Sequence, residues 1–92
     1  MAATTLEFQK EGGSWVAEYT SKGAAVVQMM RKASGGVSVT ANLEGMSPKT
    51  IYGDTGYDAG QNYILEVDVP PGVVVRIESG SEVTAAKILQ EG

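Results

Sequence analysis

The chain has 92 residues, with no cysteine and no histidine, and eleven acidic residues against seven basic ones give a formal net charge of −4. Without cysteine there are no disulfides and no thiolate metal sites; without histidine the commonest general base and the commonest transition-metal ligand are missing. The basic residues Lys10, Lys22, Arg31, Lys32, Lys49, Arg76 and Lys87 form no stripe that would neutralise a nucleic-acid backbone, and no apolar run approaches the roughly 18 residues of a membrane-spanning helix.

A chain of this length reads as one domain, residues 1–92. The opening MAATTLEFQK has no basic segment followed by an apolar core, so no signal peptide is visible; the expectation is that the protein is cytoplasmic when made, or that a leader lies outside this sequence. Twelve glycines spread along the chain point to many turns and short strands rather than long helices.

In chain order, Leu6 and Phe8 alternate with Thr5, Glu7 and Gln9 and predict a first short strand. Glu11-Gly12-Gly13-Ser14 reads as a turn. Ser14 to Ser21 follows as a second strand, with Trp15, Ala17 and Tyr19 on the inward face. Ala24 to Ala33 admits two readings. Arg31 and Lys32 in a last turn, with Gly35-Gly36 as a stop, would suit a helix. Val26-Val27 and the clean alternation of Val37, Val39, Ala41 and Leu43 favour a strand, with Ser34-Gly35-Gly36 as a hairpin loop. In a strand the adjacent Met29 and Met30 point to opposite faces, so one of them leaves the core.

Gly45-Met46-Ser47-Pro48 reads as a loop, Thr50 to Tyr52 as a short strand, and Gly53 to Asn62 as the main irregular loop. The stretch Tyr63 to Gly80 has the strongest pattern. Tyr63, Leu65, Val67 and Val69 alternate with Ile64, Glu66 and Asp68, Pro70-Pro71-Gly72 supplies a turn, and Val73, Val75 and Ile77 resume the alternation. The pattern predicts a hairpin in which Arg76 faces Glu66 and Asp68 across the strands. Glu82 to Gln90 reads as a last strand. Seven or eight short strands separated by regular turn signals predict an all-β fold, a small antiparallel jelly-roll-like β-sandwich, with an immunoglobulin-like arrangement as its rival.

Few residue constellations carry chemistry. Asp54 and Asp58 in the glycine-rich loop are weak calcium candidates, because the loop lacks the spacing and terminal glutamate of an EF-hand. Tyr52 and Tyr57 flank the same loop and are the candidates for stacking on a sugar. Glu66 and Asp68 share a solvent face, where an ion pair is the ordinary role of such residues. The serines have no histidine partner and none lies in a nucleophile elbow. No catalytic residue and no cofactor is expected.

In general make-up the chain resembles the small jelly-roll proteins and fibre heads of virus and phage particles, which are commonly trimers; the likeness covers the whole chain and no motif carries it. Together with the missing histidine, cysteine, metal pattern and basic patch, and with apolar residues on both faces of Ala24 to Met30 and Val73 to Val75, it leads to the expectation of a non-enzymatic structural module that self-assembles into a homo-oligomer, a trimer above other states. Met29, Met30 and Val74 are the candidate interface residues. Other particle or surface proteins are further partners under this reading. A carbohydrate-binding module using the loop tyrosines is the alternative.

Overall fold

The computed structural model describes residues 3–54 and 60–90, in which the alternating segments form nine strands and no helix. These are β1 (Thr4–Thr5), β2 (Gln9–Glu11), β3 (Ser14–Thr20), β4 (Ala25–Arg31), β5 (Val37–Asn42), β6 (Lys49–Asp54), β7 (Asn62–Val67), β8 (Val74–Ser79) and β9 (Val83–Gln90). They build a four-stranded sheet in the order β1-β9-β4-β7 and a five-stranded sheet in the order β2-β3-β8-β5-β6, antiparallel throughout.

The pairings are nested. The β5·β6 hairpin lies innermost, followed by β4·β7, then β3·β8, then β1·β9. The fold is therefore a long two-armed ribbon rolled so that successive pairs fall in alternate sheets, which is the jelly-roll arrangement of a β-sandwich. In the rival immunoglobulin arrangement the first two strands are neighbours in one sheet; here β3, β4 and β5 change sheet at every step.

Two expected hairpins are replaced by crossings. β7 and β8 lie in different sheets, so Pro70-Pro71-Gly72 is an arch over the end of the sandwich. Ser34-Gly35-Gly36 likewise carries the chain from β4 to β5 across the core. Alternation specifies which face of a strand is buried, but not which strand lies beside it, and an arch uses the same turn residues as a hairpin. Arg76 consequently never meets Glu66 or Asp68. It stands opposite Glu18 and Thr40 in the other sheet and forms an ion pair with Glu11, Nη2 to Oε1 3.3 Å.

The first expected strand divides in two for a related reason. The chain leaves the four-stranded sheet after Thr5 and enters the five-stranded sheet at Gln9. Leu6 in the crossing buries its side chain while its N–H donates to the Ala86 carbonyl at 3.0 Å. The β2·β3 hairpin then closes through Gly12 at φ 61°, a conformation that favours glycine at the first corner of a two-residue turn.

The core lies between the sheets. One layer consists of Ala25, Val27, Met29, Tyr63, Leu65, Val67, Ala86 and Ile88, and the other of Ala17, Val37, Val39, Val75 and Ile77. Burying a side chain of this size contributes about 1.5–3 kcal/mol. Ala24 to Ala33 is strand rather than helix, and every second residue of β4, from Ala25 to Arg31, is buried. A bulge in the β4·β9 pairing shifts the register between Met30 and Arg31, so Thr84 and Ala85 are both exposed.

Candidate functional site

The outer face of the four-stranded sheet follows directly from its register. One row across β9, β4 and β7 contains Ala85, Met30 and Asn62; the next contains Lys87, Gln28 and Ile64; the third contains Leu89, Val26 and Glu66. Met30 is 47% exposed and Ile64 62% exposed, while Val26 and Leu89 are half-buried. Gln28 is tied down by a bond from its Nε2 to Asn62 Oδ1 at 2.8 Å. Between these side chains lies an open groove of about 440 Å³, lined mainly by Val26, Gln28, Met30, Ile64, Lys87 and Leu89. Neither Lys87 nor Glu66 forms an ion pair among the described residues. The floor is apolar, with Lys87 in its lining and Glu66 in the row beside it.

A second apolar feature is the tip of the β5·β6 hairpin. The turn is closed by the Met46 N–H donating to the Leu43 carbonyl at 2.9 Å. Leu43 and Met46 are 62% and 66% exposed, and they are flanked by Glu44 and Lys49.

One end of the sandwich is polar inside. Arg31 is buried, and its Nε and Nη2 donate to the Gly60 carbonyl while Nη1 donates to the Gly35 carbonyl at 3.0 Å. The same Nη1 reaches Ser79 Oγ, and the guanidinium lies 5.7 Å from the centroid of the Tyr63 ring. The fork geometry of Arg thereby ties the Gly35 and Gly60 carbonyls and the Ser79 hydroxyl to one side chain. Nearby, on the open side between β6 and β7, the hydroxyls of Tyr52 and Tyr63 share a hydrogen bond.

Of the residues singled out from sequence, Met29 is fully buried in the core and is excluded as a contact, whereas Met30 is exposed and central to the outer face. Val74 is half-buried on the outer face of the five-stranded sheet, opposite Thr20 and Asn42, so it and Met30 lie on opposite sides of the molecule. Tyr52 is partly exposed and engaged with Tyr63. Asp54 ends β6, and Tyr57 and Asp58 lie outside the described residues.

Ile64, Leu43, Met46 and Arg31 carry surface or structural features that the sequence reading did not select. The signal for Ile64 and Arg31 was present in the period of two. Ile64 falls among the outward residues of its strand, and Arg31 continues the inward series Ala25, Val27, Met29. Comparison with protein families, with curated proteins and with solved structures finds no match to this chain.

Proposed function

We propose that the chain is a non-enzymatic structural module that self-assembles into a homo-oligomer, with a trimer as the favoured state. The observation that carries this reading is the exposed apolar face of the four-stranded sheet, where Met30 and Ile64 project from adjacent strands over the groove. Covering such a face removes apolar surface from water at about 25 cal/mol per Å². A second copy is the simplest occupant, and repeated contacts of one kind close into a ring. A role in a virus or phage particle is supported by analogy of topology alone. The carbohydrate-binding alternative rests, among the described residues, on Tyr52, whose hydroxyl is already engaged by Tyr63.

Light scattering behind a sizing column tests the proposal. A stable mass of about three chains is expected, and Ile64→Glu should reduce it by placing a charge on the apolar floor. A wild-type monomer at high concentration would overturn the reading.

A further inference from the structure

We infer that the contact between copies is head-to-tail: the β5·β6 hairpin tip of one chain seats in the outer-face groove of the next. The inference rests on the self-assembly reading and specifies its geometry. Met46, Leu43 and Ile64, two at the tip and one in the groove, are the most exposed large apolar side chains among the described residues. A face-to-face pairing of two four-stranded sheets would leave Leu43 and Met46 in water; insertion into the groove covers both apolar features at once. The groove, about 440 Å³, falls in the range of roughly 300–1,000 Å³ that accommodates compact apolar groups.

The charges agree with this pairing. Glu44 and Lys49 flank the tip, while Lys87 and Glu66 belong to the outer face that bears the groove. Among the described residues none of the four forms an ion pair within its own chain. Opposite charges brought together in this way contribute modestly to affinity but set orientation and exclude wrong registers. The tip belongs to the five-stranded sheet and the groove lies on the far face of the other sheet, with the core between them. A chain therefore cannot fill its own groove. Two different patches in contact make a heterologous interface, which propagates until the rotation closes a ring.

The test uses two full-length variants, Ile64→Glu in the groove and Leu43→Ser with Met46→Ser at the tip. All three positions are exposed, so each variant should keep the wild-type urea midpoint as a monomer. Each alone is expected to run as a monomer. An equimolar mixture should form a complex of two chains and stop there. The intact tip of the first fills the intact groove of the second, and the remaining tip and groove are both disabled. A tip variant that assembles like wild type would overturn the inference and leave self-assembly through the face standing. Two monomeric variants that do not complement each other would also overturn it. A wild-type monomer would remove the self-assembly reading itself.

Discussion

Arg31 at the end of β4 donates from Nη1 to Ser79 Oγ at the end of β8, 3.1 Å away, and so joins the last residues of two strands in opposite sheets. Ser79 is fully buried, and its hydroxyl lies 2.9 Å from the Ser81 carbonyl oxygen. Arg31→Ala would deprive Ser79 and the carbonyls of Gly35 and Gly60 of this donor inside the protein. Loss of a buried guanidinium bonded to several acceptors is expected to cost a few kcal/mol, at about 1.5–3 kcal/mol per hydrogen bond to a charged group. Arg31→Lys should recover only part of the loss, because an ammonium cannot reproduce the planar fork. Urea unfolding of the two variants decides this; equal stability to wild type would show the cluster to be dispensable.

Met29 and Met30 are sequence neighbours with opposite surroundings, the first fully buried and the second nearly half exposed. Met29→Ala should lower monomer stability by about 2–5 kcal/mol through lost contacts and a residual cavity. Met30→Ala should change monomer stability by no more than about 0.5 kcal/mol and instead weaken assembly. Paired urea titrations and light scattering separate the two effects.

Tyr19 gives a prediction in pH. Burial pushes its phenol above the usual 10.0, and its hydroxyl has no hydrogen-bond partner among the described residues. The unfolded chain therefore loses this proton at lower pH than the folded one. The corresponding stability is fully present below about pH 10 and declines as pH rises from there through the folded-state value. Tyr19→Phe should flatten this alkaline decline. Because the variant removes an unpartnered buried oxygen, it should also raise stability at neutral pH by about 1 kcal/mol. Denaturant midpoints at neutral and alkaline pH test both statements, and a destabilised Phe variant would reveal a partner for the hydroxyl.

Gly72 adopts φ 95° in the arch between β7 and β8, with open space where a Cβ would lie. Its N–H donates to the Ser21 carbonyl at 2.9 Å, extending the β3·β8 pairing into the arch. Gly72→Ala should therefore destabilise by about 1–2 kcal/mol from backbone strain alone, without steric clash. Thermal unfolding measures it. Gly13→Ala, at a position with open space and without positive φ, is the control and should cost less.

The alternation in the sequence identified the strands and their buried faces, as Val37 and Val39 in β5 and Tyr63, Leu65 and Val67 in β7 show. It did not identify neighbours. Strand β7 was expected beside β8 and lies beside β4, because partner choice is set by packing between distant segments and leaves no trace in a local period of two. The outer face was only half legible for the same reason. Met30 and Ile64 each look like an isolated exposed residue in their own segments, and they become one patch only when β4 and β7 pair. In the sequence Arg31 stands out only with Lys32, as a charge in the last turn of the helix alternative; in the strand it continues the inward period of two into the core. Its acceptors, the Gly35 and Gly60 carbonyls, come from connections whose meeting no local pattern encodes.

Strand β4 lies between β7 and β9, and both of its neighbours follow it in the chain. On the ribosome, at about 5–20 residues per second, Ala-Val-Val-Gln-Met-Met emerges several seconds before β9 is made. During that interval its main-chain groups and apolar side chains lack their native cover, in a segment rich in β-forming residues and free of charge until Arg31. Strand β4 is thus the segment in which a charged substitution at an outward position such as Gln28 is expected to lessen aggregation of incomplete chains.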